Sequence, residues 1–388
     1  MNVCIFSAFE DSMLKQTGGS VRIFNLSKGL ASLGNDVVLV IPKYDSMSEK
    51  VGDVKIQSFS GFFPRRLLEL LSKIMGAYRP TSLFFYDLLF IRRAHRMIRQ
   101  SDLVQFEQLT AGALLIPFVS TVFKKPVVFD CHDTFQALRV KNTTILRKLL
   151  ETFIEKQVYR FADFIVVVSE EEKQYLLSLG IGEGRISVIP NGVDTEYFQK
   201  SNKIEYRKKD VMKNFQTVIF VGNMSYAPNQ EAIRLLSSKI APRVSEKIKD
   251  VKFLAVGKLN EQISLPGIEF TGFVDNLPEV LCYSDVAVAP LLHGSGTRLK
   301  ILEYFSCSLP VVSTSIGAEG LAVENGIHVL IEDDFYQFAS QIVKLLNDKS
   351  LSKQLGNAAR QLVVENYDWA KIACRLNDVY KKTLASLN

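Results

Sequence analysis

Short runs that are apolar at nearly every position alternate along this chain with longer segments whose apolar residues recur at helical spacing. In the first half the apolar runs fall at residues 3–6, 37–41, 103–106, 127–130 and 164–168, and helix-like segments such as 20–33 and 146–161 lie between them. Strands with no polar face are buried on both sides. That is the pattern of a parallel sheet covered by its own crossover helices. After a further run at 186–189 comes Pro190-Asn191-Gly192-Val193-Asp194, a turn-forming string, followed by the charged stretch 200–213 with no core-facing pattern. A second series of apolar runs then follows at 217–221, 251–256, 268–270, 286–289, 311–314 and 328–331, with helical patterns at 335–347, 350–365 and 369–387. The expected organisation is an α/β protein of two Rossmann-like, doubly wound domains facing across a cleft. Residues 1–190 are expected to form the first domain, 191–365 the second, and 366–388 a C-terminal helix crossing back toward the first.

Parallel sheets bind ligands beyond the carboxyl ends of their strands, so the informative residues should follow the apolar runs. Gly18-Gly19 lies after the first run, His132-Asp133 after 127–130, Ser169 after 164–168, Gly222-Asn223 after 217–221, and Gly294-Ser295-Gly296-Thr297 after 286–289. The last of these carries the most chemistry. An apolar strand ends at Pro290, the glycines allow a tight turn with N–H groups facing an anion, and a helix is expected from Thr297. Arg298 and Lys300 at its start can neutralise a diphosphate, and Glu303 can accept hydroxyl hydrogens from a sugar. Nucleotide binding follows from that combination.

Other features have plainer readings. His132 is one of four histidines, and its place after a strand favours a role in the cleft over a structural one. Gly18-Gly19 can be an ordinary turn or can admit a diphosphate near a helix start. Ser169 with Glu172 reads as a capping box with no chemistry. The glycines at 180, 182 and 184 follow a helix rather than a strand, so no dinucleotide fingerprint is assigned.

Composition narrows the classes further. A chain of 388 residues that is 47% hydrophobic and 23% charged has ample material for two cores. Its net charge of +6 is too small to argue for nucleic acid. Five scattered cysteines suggest neither a disulfide framework nor a zinc site and fit a reducing cytoplasm. No signal peptide is recognised at the N-terminus, and the longest apolar run, 111–123, is too short to span a bilayer. Positive charge is concentrated at residues 62–100, which hold eight Lys and Arg against two Asp and Glu. Such a segment could rest on anionic headgroups at the inner face of the cell membrane.

Taken together, Thr17-Gly18-Gly19-Ser20, His132-Asp133, Ile189 to Asp194, Phe220-Val221-Gly222-Asn223, Phe270 to Val274, Gly294 to Glu303 and Pro310 to Thr314 resemble the retaining glycosyltransferases of family 4, which have the GT-B fold. The resemblance runs over essentially the whole chain. It implies that the second domain holds a nucleotide-sugar, that Glu303 binds the ribose, that Gly18, Gly19 and Gly222 approach the diphosphate, and that His132 contacts the donor sugar. Asn223, Phe273, Gly294, Ser295, Gly296 and Thr297 complete the expected donor-binding set. No metal or cofactor is implied. The expected acceptor is a glycan or a lipid-linked glycan in polysaccharide or glycolipid assembly.

Two departures stand out. Where the family commonly begins its E-x7-E pattern, this chain has Ser295; where many members carry Arg and Lys after the first strand of the second domain, it has Asn223 to Asn229. Arg298 and Lys300 are the expected substitutes for that charge, stabilising the leaving diphosphate from another loop. An epimerase of the same fold, or a nucleotide-sugar-binding protein without transferase activity, is the alternative. Neither the base, the sugar nor the acceptor is specified by these residues.

Overall fold

The structure of the protein, a computed structural model, describes residues 1–7, 18–42, 47–59, 88–107, 115–132, 155–199, 215–259, 264–293 and 298–386. The chain divides into two compact units, Met1–Asn191 with Trp369–Asn388, and Gly192–Asp368.

The first unit is built on strands β1 (Asn2–Ser7), β2 (Asp36–Pro42), β3 (Met47–Val51), β4 (Val54–Phe59), β5 (Leu103–Glu107), β6 (Val127–Cys131), β7 (Phe164–Val167) and β8 (Ile186–Val188). Their order across the sheet is β3-β4-β2-β1-β5-β6-β7-β8, and every pairing is parallel except β3 with β4. That antiparallel hairpin is an addition to the expected strands. Lys50 and Lys55 face each other across it and Gly52, at φ 58°, turns it. It was hidden because an edge strand wetted on one face alternates polar and apolar residues instead of forming an apolar run.

Alternation along the parallel strands gives the sheet two apolar faces. Cys4, Phe6, Val104, Phe106, Val127 and Phe129 form one core with Ala94 and Ile98 of α2 (Leu88–Gln100). The opposite face, with Val3, Ile5, Leu103 and Val128, packs on Ile23, Leu26 and Leu30 of α1 (Gly18–Ser32) and on Trp369, Ile372, Leu376 and Tyr380 of the C-terminal helix (Trp369–Ala385). These two helices approach closely. A Cβ at Gly29 would lie 2.4 Å from the Cβ of Ala373, so only glycine fits there, and Asn35 Nδ2 donates to Asn377 Oδ1 at 3.0 Å across the same seam. Helices α3 (Leu115–Phe118) and α4 (Glu170–Ser178) also belong to this unit. Ser169 caps α4 as expected, accepting from the Glu172 N–H at 3.3 Å, while the Glu172 carboxylate reaches back one residue further, to the N–H of Val168 at 3.1 Å.

The second unit has β9 (Gln216–Val221), β10 (Val251–Val256), β11 (Ile268–Gly272), β12 (Val286–Ala289), β13 (Val311–Ser313) and β14 (Leu330–Ile331), all parallel, in the order β11-β10-β9-β12-β13-β14. Its helices are α5 (Ala227–Leu235), α6 (Ala241–Lys247), α7 (Leu277–Tyr283), α8 (Leu299–Ser306), α9 (Ser315–Ala318), α10 (Phe335–Asn347) and α11 (Lys349–Asn366). Helix α8 starts at Leu299, with Arg298 in the capping position, rather than at Thr297.

Asp133, Gly294 to Thr297, the charged stretch 200–213 and most of the basic segment 62–100 lie outside the described residues. Of that segment, α2 is described, and Arg92, Arg93, Arg96 and Arg99 are exposed on it. Among the described residues no helix is long and apolar enough to cross a membrane.

Candidate active site

Each sheet has one place where the chain reverses its direction of winding, between β1 and β5 in the first and between β9 and β12 in the second. Crevices open at the carboxyl ends of such strand pairs. Lys300, Gly222 and Asn223 lie by the second of these places and His132 one strand beyond the first, at the end of β6, whereas Phe273 follows the edge strand β11 and Gly294 to Thr297 lie outside the described residues.

At the β9–β12 position of the second unit, Lys300 from the first turn of α8 lies over the ring of Phe220, its Nζ 4.2 Å from the centroid, and donates to Asn229 Oδ1 at 2.8 Å. Asn229 is itself oriented, because its Nδ2 donates to the carbonyl of Asn223 at 2.9 Å. The amide therefore turns its oxygen toward the lysine. Gly222, expected to approach a diphosphate, also has a packing reason to be glycine: a Cβ there would stand 2.7 Å from Asn229 Nδ2. Burial and the neighbouring Arg298 charge pull the Lys300 ammonium down to about 7, with Glu303 acting the other way.

Glu303 stands three residues beyond Lys300 on the same side of α8. It is partly buried, and among the described residues no donor hydrogen-bonds its carboxylate. Burial pushes its acid up to about 7 against the pull of Lys300. A half-buried carboxylate lacking donors is costly on its own and suited to a ligand that brings hydroxyls. Arg298 is turned differently. It is nearly buried, donates to the carbonyl of Ile316 at 3.4 Å and pairs with Glu319 at 3.7 Å, so much of its charge is engaged at α9. Phe273 follows Gly272, at φ 72°, and is 75% exposed beyond the end of β11. A wholly apolar ring left in water at a strand end is a surface for a flat ligand group.

At the β1–β5 position of the first unit, His132 leaves the end of β6 and is buried. Its Nε2 lies 2.5 Å from Glu107 Oε2 at the end of β5. Arg22, one turn into α1 from Gly18 and Gly19, is 1% exposed and forks onto Asp130 of β6, with Nε to Oδ2 at 3.0 Å and Nη2 to Oδ1 at 3.1 Å. Its Nη1 reaches the carbonyl of Pro190 at 3.0 Å and Asn191 Oδ1 at 3.3 Å. One arginine thus fastens α1, β6 and the segment at Pro190-Asn191. The hydrogen bond to Glu107 and the nearby Asp130 raise the proton affinity of His132 above that of an ordinary imidazole, outweighing the desolvation that works against it. Glu107 also holds its proton more tightly than usual, because it is buried and lies near Asp130.

Glu107, Asp130 and His132 bring ligand-type atoms within 4.8 Å of one another. They do not fit a divalent cation. Arg22 already occupies both oxygens of Asp130, and the imidazole is taken up by Glu107, so the protein itself provides the positive charge that a metal would bring. Arg22, Glu107 and Asp130 were not singled out from the sequence. The signal existed: Arg22 shares its helical stripe with Leu26 and Leu30, and both acids sit at or next to the ends of largely apolar strands. A charge in a core position asks for a buried partner.

Two α/β units, each built on its own parallel-dominated sheet, define a two-domain α/β class. The chain matches the description Glycosyltransferase Family 4 over residues 17–197 and Glycosyl transferases group 1 over residues 215–348; it belongs to this family of glycosyltransferases. It is 22% identical over 362 residues to an uncharacterised glycosyltransferase of Methanocaldococcus jannaschii, covering 88% of each chain. It is 29% identical over 273 residues to the UDP-Gal:alpha-D-GlcNAc-diphosphoundecaprenol alpha-1,3-galactosyltransferase of Escherichia coli, covering 66% of this chain and 68% of the relative. In structure it resembles the sucrose-phosphate synthase of Thermosynechococcus elongatus, with a TM-score of 0.75 at 19% identity over 99% of both chains. A TM-score of 0.75 also relates it to Anabaena HepE in complex with UDP, at 14% identity over 98% of this chain and all of the other. The fold is GT-B.

Proposed function

We propose that this glycosyltransferase moves a hexose from a nucleoside-diphosphate donor to an acceptor hydroxyl, with retention of anomeric configuration and without a divalent metal, in the assembly of a polysaccharide or a lipid-linked glycan. The observation that carries the donor assignment is the Lys300–Glu303 pair at the switch point of the second sheet. One side chain is a cation seated by Asn229 and Phe220, and the other is a carboxylate to which no described donor bonds. A nucleoside diphosphate complements both, its phosphates meeting the ammonium and its ribose hydroxyls the carboxylate.

In this reading Lys300 stabilises charge on the departing diphosphate, the term that does most in such transfers. Arg298 reinforces it from two residues away, and the exposed Phe273 offers its face to the base. Gly222 and Asn223 bring backbone close to the phosphates, together with Gly294 to Thr297, while Gly18 and Gly19 open the start of α1 in the first unit. His132 acts on the sugar. Retention follows the family resemblance.

A lipid-linked acceptor is supported by the diphosphoundecaprenol in the name of the Escherichia coli relative and by the exposed arginines of α2, which suit an anionic headgroup layer at the cytoplasmic face of the membrane. A thermal-shift screen of nucleotide-sugars, followed by turnover assays on each stabilising donor with and without added EDTA, tests the assignment. One nucleoside-diphosphate sugar should raise Tm and be turned over with EDTA present. Stabilisation by none of them, or turnover abolished by EDTA, would refute the respective part.

A further inference from the structure

The imidazole of His132 is the end of a longer chain of hydrogen bonds. Glu107 uses Oε2 for His132 Nε2, and its other oxygen, Oε1, accepts from Gln105 Nε2 at 2.5 Å. Gln105 in turn accepts at Oε1 from the hydroxyl of Tyr380 at 2.5 Å. All four side chains are buried. Gln105 and Glu107 are two residues apart on β5 and so point to the same face of the sheet, the face covered by α1 and the C-terminal helix. Tyr380 comes from that helix, 275 positions along the chain from Gln105.

The chain has a direction. A carboxamide offers an acceptor at one end and donors at the other, so a tyrosine hydroxyl donating to Gln105 Oε1 turns the NH₂ group toward Glu107. A carboxylate oxygen that receives this N–H is stabilised as the ionised acceptor, which leaves the other oxygen to accept from His132 Nε2–H. Nε2 is then committed as the donor to Glu107, and Nδ1 lies on the opposite side of the ring, away from Glu107. Burying four polar side chains in this arrangement is tolerable only because each satisfies the next; a broken link leaves its neighbours unsatisfied in a low-dielectric setting.

We propose that Glu107, Gln105 and Tyr380 are positioning residues for His132, through which the docked C-terminal helix fixes the orientation of the imidazole and the nitrogen that carries its proton. The proposal rests on the reading above in which His132 acts on the donor sugar. It gives the C-terminal helix a part in the reaction beyond covering the sheet. Among the described residues, the charged groups acting on His132 are Glu107 from β5, Asp130 from β6 with its Oδ2 at 3.9 Å, and Arg22 from α1, and Tyr380 of the C-terminal helix lies near Glu107, Asp130 and Arg22. Glu107 accepts directly from the ring at Nε2, and its carboxylate is the main support for an imidazolium.

The test uses the full-length protein with isotopically labelled histidine. The His132 resonances are assigned by their loss in His132→Gln, and the ring is titrated by NMR in wild type, Glu107→Gln and Tyr380→Phe. Glu107→Gln keeps the shape but removes the charge, so His132 should titrate roughly one unit or more lower than in wild type, equivalent to a tenfold weaker hold on its proton. Tyr380→Phe should shift it in the same direction by a smaller amount, because Gln105 loses the bond that orients it. Both variants should lower kcat, by roughly tenfold or more for Glu107→Gln, while Kd for the free nucleoside diphosphate stays within about twofold. Should Glu107→Gln fail to fold, Tyr380→Phe alone decides. A folded Tyr380→Phe whose His132 titration and kcat match wild type overturns the proposal, as does a folded Glu107→Gln with an unchanged titration. A wild type that turns over no donor, yet shows the expected NMR shifts, would refute the functional reading and leave the positioning chain standing.

Discussion

The two switch points are built on the same sheet geometry and carry opposite kinds of polar cluster. In the first unit, Arg22, Asp130, Glu107 and His132 are closed on one another, with a forked ion pair at 3.0 and 3.1 Å and a carboxylate–imidazole bond at 2.5 Å. In the second, Lys300 and Glu303 are only partly buried, and the carboxylate takes no hydrogen bond from a described residue. A closed cluster is rigid and contributes to folding. An open one keeps its unmet interactions for a ligand. Substitutions at the Arg22–Asp130 pair should therefore be read chiefly in stability, and substitutions in the second cluster chiefly in binding and turnover.

The largest effect is expected at Arg22. Arg22→Met removes the guanidinium and leaves Asp130 buried without its partner, which should cost about 3–5 kcal/mol, measured as a lowered urea midpoint at unchanged m-value. A loss below about 1 kcal/mol would place the pair among surface-like interactions and erase the contrast. Next comes Lys300→Ala, which should lower kcat/KM by roughly 10²–10³-fold while moving the urea midpoint little, because burial already works against this ammonium. Asn229→Ala should follow with a smaller loss of about tenfold, since the lysine remains but its seat does not. An Asn229→Ala effect as large as that of Lys300→Ala would mean that the amide itself meets the donor.

The smallest effect is a pH dependence peculiar to the open cluster. Lys300 is pulled down to about 7, so as pH rises through that value it loses the charge that attracts phosphate. Glu303 is pushed up to about 7, so as pH falls through that value it takes up a proton and becomes a poorer acceptor for ribose hydroxyls. Affinity for a nucleoside diphosphate, titrated calorimetrically, should be greatest near neutrality and weaken on both sides, and Glu303→Gln should remove the acidic limb alone. A profile flat on both sides of neutrality would show that neither group titrates at the site.

Much of the fold was legible because parallel strands buried on both faces leave an unmistakable apolar run. The β12 run at residues 286–289 and the β10 run at 251–256 coincide with the strands found. The β3–β4 hairpin was not legible, because Met47–Val51 contains Ser48, Glu49 and Lys50 and lies at an edge where only one face needs burial. Glu303 and Lys300 stood out in the sequence because they are charges near a glycine loop. Arg22, Gln105 and Tyr380 did not, since each looks ordinary alone and acquires meaning only when residues 22 and 130, or 105 and 380, are brought together by the sheet and its covering helices. Sequence spacing flags a candidate site carried by one loop; a network assembled from four elements becomes visible only in three dimensions.

The central claim is that the second sheet's switch point holds a nucleoside diphosphate between a cation and an acid. Calorimetric titration of UDP, GDP and ADP into wild type and Glu303→Ala tests it directly. At least one nucleotide should bind wild type and bind Glu303→Ala roughly tenfold or more weakly, the range expected when a charged hydrogen-bonding partner is lost, with the urea midpoint of the variant no lower than that of wild type. Equal affinity for every nucleotide in the two proteins would contradict the account.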